Sequence, residues 1–209
     1  RQTRLVMGLH PDLFQWTLQP NDTFATPEAV LSYSSSGLAQ LSHHFHQVIR
    51  EHICRGTYQL AERPILINSW EAAYFDFDDQ KLLKIAKEAA AIGVDMLVLD
   101  DGWFGNRFPR NDARAGLGDW QVNRAKLPHG LEGLIRHAEE LGIRFGIWVE
   151  PEMVNPHSEL YQNHPEWVIG LPHRENRQER SQYLLDLSNP HVYLSLIHIS
   201  EPTRRTPIS

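Results

Sequence analysis

Between Ile65 and Val149 short apolar runs alternate with segments of helical period, and that alternation leaves few folds open to this chain. Residues 65–68, 95–99 and 144–149 read as strands; residues 78–92 and 130–141 read as helices, ended by Gly93 and Gly142. Successive strand and helix units call for a parallel sheet, since parallel neighbours need a crossover long enough to hold a helix. Each strand runs into acidic, amide or aromatic residues at its carboxyl end, which favours an α/β fold of the (β/α)8 TIM-barrel type over an open sheet. A whole barrel takes about 250 residues, so from Ile65 onward there is room for roughly half of one.

The first 62 residues have a different rhythm. Residues 4–9 and 14–18 are short extended candidates separated by Pro11 and Asp12, and residues 19–27 are rich in turn formers, as in the tail of a β-rich domain. Residues 28–33 and 37–54 read as helical, the second placing Leu38, Leu41, Phe45, Val48 and Ile49 on one face.

Composition excludes several function classes. A formal net charge of -6 and the lack of a basic patch interleaved with aromatics argue against a nucleic-acid or an anionic-membrane partner. No run approaches the ~18 apolar residues of a membrane span. The lone Cys54 excludes an internal disulfide and leans toward a reducing compartment, the cytoplasm. With no glycine-rich phosphate loop and no Gly-x-Ser-x-Gly elbow, neither a nucleotide cofactor nor serine-hydrolase chemistry is expected. His43, His44 and His46 are close in sequence, but no Cys or acid is placed to complete a zinc site, and no metal is expected.

The densest chemistry lies where the second strand stops, in the run Val98, Leu99, Asp100, Asp101, Gly102, Trp103, Phe104. Two adjacent carboxylates there can accept hydrogen bonds from sugar hydroxyls, and Trp103 and Phe104 offer flat apolar faces to the C–H surface of a pyranose ring. The bland alternative is that one Asp caps the next segment and the other is solvated. Trp148 is either the floor of the same pocket or a packed barrel residue. Glu150 and Glu152 project to one face of their strand, whereas a retaining glycosidase sets two carboxyls ~5 Å apart across the scissile bond. They are therefore expected to make structural hydrogen bonds beneath the site. Asp119 and Trp120 either reach over the strand ends or anchor a long loop.

Five runs, in order, resemble the α-galactosidases of glycoside hydrolase family 36: residues 63–77 (RPILINSWEAAYFDF), 97–107 (LVLDDGWFGNR), 117–128 (LGDWQVNRAKLP), 145–154 (FGIWVEPEMV) and 184–188 (LLDLS). The resemblance covers most of the chain, from about Thr26 to Tyr193. It implies that residues 1–62 are the tail of an N-terminal β-sandwich domain with a helical connector, and that residues 63–193 begin the catalytic barrel. It implies that Asp100 and Asp101 bind the galactose hydroxyls at C4 and C6, that Trp70 and Trp148 line the galactose subsite, and that Arg180 contacts the sugar. The family shows Gly-Arg-Asn-Gln where this chain has Glu179, Arg180, Ser181 and Gln182. The resemblance implies that the substrate is a terminal α-galactoside such as melibiose or raffinose, cleaved with retention through a galactosyl-enzyme ester. No cofactor is implied, and the full-length parent is expected to be a homo-oligomer.

The family's nucleophile lies in a Lys-Trp-Asp motif on the next barrel strand, ~20 to 30 residues past Tyr193 by the usual size of a βαβ step. Neither that aspartate nor the acid/base aspartate occurs in this chain, so no catalytic residue is assigned and the chain is expected to be inactive. Residues 194–204 (LSLIHISEPTR) are instead identical to the translation of a transposase adapter used in shotgun-sequencing libraries. Residues 194–209, which lack helical periodicity, are therefore expected to be foreign, like a fusion scar. An incomplete barrel is also expected to be poorly soluble alone, with strand edges unpaired. Alternatives are a fragment of an α-N-acetylgalactosaminidase or of a raffinose-type galactosyltransferase, or a non-catalytic sugar-binding module.

Overall fold

A computed structural model describes residues 4–204 apart from 13, 172 and 174. The chain forms two units, Arg1–Arg63 and Pro64–Ser209. In the first, the described residues of 4–37 hold no helix and no strand, so the sandwich strands expected there do not form among them. Phe24 packs against Trp16 and Phe14, with ring centroids 5.0 and 6.0 Å apart. Residues 28–33, expected to be helical, form no helix. Six residues are too few to nucleate a helix without tertiary packing, and Val30, Leu31 and Tyr33 are exposed. Helix α1 (Leu38–Val48) continues into a π turn, Ile49–Ile53, closed by the Cys54 N–H donating to the Ile49 carbonyl at 2.8 Å. Its apolar face is only partly covered: Leu41 and Phe45 are half-buried, and Leu38 is 80% exposed.

The second unit holds the predicted parallel sheet. Strands β1 (Leu66–Asn68), β2 (Met96–Leu99) and β3 (Arg144–Ile147) lie in that order, with Leu66 opposite Met96 and Met96 opposite Arg144. Leu97 and Leu99 face one side of β2 and are 2% and 0% exposed. Against that side pack α3 (Asp79–Ala91) and α4 (Gly130–Glu140), the short helix α2 (Trp70–Ala73) having followed β1 directly. Leu82, Ala86 and Ala89 of α3 are buried, as are Leu134 and Ala138 of α4, spaced at three and four residues as an amphipathic helix requires. Asp78 caps α3 by accepting the Lys81 N–H at 2.8 Å. The other side of the sheet, with Met96 and Val98, is half-buried, and β1 and β3 each have one edge unpaired among the described residues.

Beyond β3 a short antiparallel pair, β4 (Met153–Val154) and β5 (Tyr183–Leu184), flanks α5 (Glu159–Asn163). Val154, Val168, Leu185 and Val192 form a small core there, with Leu160, Trp167 and Leu196 against it. The expectation of a non-helical tail is corrected: α6 runs from Pro190 to Arg204, through the junction at Leu194. Asn189 accepts the His191 N–H at 3.0 Å, and Pro190 starts the helix where its missing N–H costs nothing. No helix among the described residues is long and apolar enough to cross a membrane.

Candidate functional site

The carboxyl ends of β1 and β2 are stitched together by polar residues. Asn68, the last residue of β1, donates from Nδ2 to Asp100 Oδ2 at 2.6 Å and accepts the Trp70 N–H on Oδ1 at 2.8 Å. Ser69 Oγ accepts the Asp100 N–H at 3.0 Å. Trp70 is half-buried, edge-on to Tyr74 and Phe75 at 5.2 and 5.0 Å. Asp100 is half-buried and held by its bonds to Asn68 and Ser69.

Asp101 differs from its neighbour. It is 5% exposed, and Arg110 grips both of its oxygens: Nε donates to Oδ1 at 2.9 Å and Nη2 to Oδ2 at 2.8 Å. Arg110 is wholly buried, and its Nη1 donates to Asn155 Oδ1 at 2.8 Å and to the Ala115 carbonyl at 3.1 Å. The loop that carries it turns tightly, since a Cβ at Gly105 or Gly116, both at positive φ, would collide with the Phe108 carbonyl. Lys126 closes the floor: its Nζ donates to the carbonyls of Phe75, Gly102 and Arg110 at 2.9, 3.0 and 3.1 Å. Burial pulls the Lys126 ammonium below its ordinary pKa, against the nearby charges of Asp101 and Asp76.

One sequence expectation is corrected here, and one pair of alternatives is settled. Trp103 and Phe104, read as a pyranose platform, are 5% and 0% exposed and belong to the core, with Phe104 packed 4.5 Å from Trp120 between centroids. Trp120 and Asp119 anchor the loop rather than reach over the site. Asp119 accepts the N–H groups of Glu159 and Leu160 at 2.9 and 3.0 Å, at the start of α5. Burial raises its pKa against those two bonds. Trp148 is half-buried at the end of β3, 6.3 Å from Trp120, and its carbonyl accepts Trp103 Nε1–H at 3.0 Å. His44 pairs with Ser32 and Gln40.

Structural hydrogen bonding was expected of Glu150 and Glu152, yet Glu150 Oε2 is buried without a hydrogen-bond partner among the described residues. Burial pushes this carboxyl up; Glu152 and Asp101 add to the rise, while Arg180 and Arg110 oppose it. Asp101, Arg110, Glu150 and Arg180 thus share one electrostatic neighbourhood. Above the ordinary carboxyl value and below the raised one, the folded state holds more protons than the unfolded, so stability falls as pH rises through that window. Glu150→Gln is expected to flatten this slope, read as the urea midpoint between about pH 4 and about pH 8; an unchanged slope would sink the assignment.

Arg180 sits on a two-residue turn. Glu179 and Gln182 exchange both backbone bonds, at 3.1 and 2.9 Å, and Arg180 and Ser181 between them have φ of 51° and 61°. That is a type I′ turn, which suits Asn and Gly far better than Arg and Ser. Sequence reasoning missed Arg110 and Asn155, which have no motif to flag them: one is among several loop arginines, the other follows a two-residue strand. Asn68 was legible as an amide ending an apolar run.

Parallel strands joined through helices, with a fixed carboxylate pair at the end of the second, define an α/β protein. The melibiase family model matches residues 23–208, and the chain belongs to that family, which includes the α-galactosidases of glycoside hydrolase family 36. It is 49% identical over 207 residues to α-galactosidase AgaA of Geobacillus stearothermophilus, covering 99% of this chain and 28% of that one. It is 51% identical over 191 residues to the bifunctional α-galactosidase/sucrose kinase AgaSK of Mediterraneibacter gnavus, covering 91% and 20%. A crystal structure of AgaA in complex with raffinose superposes with a TM-score of 0.87, at 48% identity, over 97% of this chain and 28% of that one. The chain thus spans less than a third of the relatives it matches.

Proposed function

We propose that the whole protein is a retaining α-galactosidase and that this chain supplies its galactose-holding wall without the groups that cleave. Asp100 and Asp101 hydrogen-bond the hydroxyls at C4 and C6, Trp70 and Trp148 line the subsite, and Arg180 contacts the sugar. The observation that carries this reading is placement: these residues follow the ends of adjacent parallel strands, or share Glu150's electrostatic neighbourhood, in a chain of the melibiase family. A neutral sugar suits a wall in which one carboxylate is already neutralised by Arg110. Raffinose and stachyose are bound by AgaA in its crystal structures, and the same class of α-galactoside is the substrate here.

In this reading residues 63–193 are the first part of a (β/α)8 barrel, residues 1–62 are the end of a sandwich domain and its connector, and residues 194–209 are adapter-derived. The parent is a cytoplasmic homo-oligomer. The 209-residue chain, purified free of host enzyme, is expected to release no nitrophenol from a nitrophenyl α-galactoside, whereas the product of the uninterrupted gene does so with retention. Activity in the short chain would overturn the assignment of the cleaving groups, and an inactive gene product would overturn the function. Amplifying the locus from source DNA and finding the codons for residues 194–204 in it would refute a foreign tail.

A further inference from the structure

Asn155 is fully buried and every hydrogen-bonding position of its amide is used. Oδ1 accepts from Arg110 Nη1 at 2.8 Å and from the Leu117 N–H at 2.9 Å; Nδ2 donates to the carbonyls of Ala113 and Ser181 at 3.0 and 2.8 Å. A satisfied amide of this kind has one orientation, because rotating it would set oxygen against carbonyls and N–H against N–H. A continuous path therefore runs from Asp101 through the Arg110 fork and the Asn155 amide to the Ser181 carbonyl. Its far end is the left-handed turn that displays Arg180. Arg and Ser resist that backbone conformation, so the turn needs a tertiary hold, and the Asn155 bond to Ser181 is one. Gln182, next in the turn, is 2% exposed, which roots it in the same unit.

We infer that Arg110 and Asn155 are positioning residues: a rigid relay that fixes the Arg180 turn at a set distance from the Asp101 carboxylate, and so sets the width of the sugar subsite. The inference deepens the α-galactoside reading and rests on it for the roles of Asp101 and Arg180. Arginine is required at 110 because one planar group must reach a carboxylate and an amide at once; a lysine ammonium could hold the carboxylate alone. Through-space electrostatics is the rival account, since Asp101 and Arg180 both act on Glu150.

The test uses the full chain labelled with 15N. In the wild-type background, Asp101→Asn is expected to shift the amide resonances of Glu179 and Gln182 and the Nε–Hε signal of Arg180. In an Asn155→Asp background, which keeps the shape but sets an oxygen against two carbonyls, the same change at Asp101 no longer moves them. Exchange protection at the Glu179 and Gln182 amides drops about ten-fold in Asn155→Asp relative to amides of α3, about the worth of one net hydrogen bond. Arg110→Lys, which keeps a charge beside Asp101, serves if Asn155→Asp fails to fold, and is expected to decouple the turn likewise. Asp119→Asn, in the cap of α5, leaves the turn's protection as it was. If the Asp101 effect survives undiminished in the Asn155 and Arg110 variants, the coupling is through space and the relay is refuted. Galactose enters none of these measurements, so a failed relay and a failed α-galactoside reading remain distinguishable.

Discussion

Replacing Arg110 by Met is expected to cost the Pro64–Ser209 unit about 3–5 kcal/mol of folding stability, the range for removing one partner of a buried ion pair. The figure applies without discount for solvent, because the side chains of Arg110 and Asp101 are 0% and 6% exposed. Met fills much of the arginine's volume but leaves Asp101 charged and unpaired, and strips a donor from Asn155 and from the Ala115 carbonyl. The double variant Asp101→Leu with Arg110→Met removes the stranded charge as well, and is expected to be the more stable of the two. Urea unfolding followed by circular dichroism compares them. A double variant no better than the single would mean that packing, not the charge pair, gives Arg110 its importance.

Phe104→Ala is expected to lower stability by about 3–5 kcal/mol, as large-to-small changes of buried aromatics do. The same substitution separates the two readings of this residue. A ring that served as a platform for sugar would be exposed in the free protein, and its loss would leave the urea midpoint nearly unmoved. Phe104 is instead fully buried, tilted 4.5 Å from Trp120 and 5.1 Å from Trp103. A change under roughly 1 kcal/mol, the range of ordinary surface substitutions, would restore the platform reading.

The architecture of the second unit was legible because each element has its own local signal. Asp78 announces α3 as an N-cap, the 3.6-residue spacing of Leu82, Ala86 and Ala89 gives its buried face, and Leu97 and Leu99 give the buried face of β2. Residues 28–33 misled because apolar content in a short segment says nothing about whether packing will be there to hold a helix. At the candidate site, residue types can be read from the sequence but orientations cannot. Asp100 and Asp101 are adjacent in sequence and alike in chemistry, yet only the fold shows that one is tied to Asn68 and the other to Arg110. Trp103 and Phe104 follow the carboxylates after a single glycine, and the tight turn there, with Gly102 at a φ of 105°, carries both rings into the core. A hydrogen bond between residues 45 apart, such as that from Arg110 to Asn155, leaves no periodic trace in a sequence.

The three carbonyls that hold Lys126 belong to residues 51, 24 and 16 positions earlier in the chain. Its ammonium can be seated only after the segment following β1, the turn following β2 and the Arg110 loop have all arrived. Closing those loops costs entropy before the contact returns anything. The end of the sheet that carries Asp100 and Asp101 is therefore complete only when three separate segments are in place together.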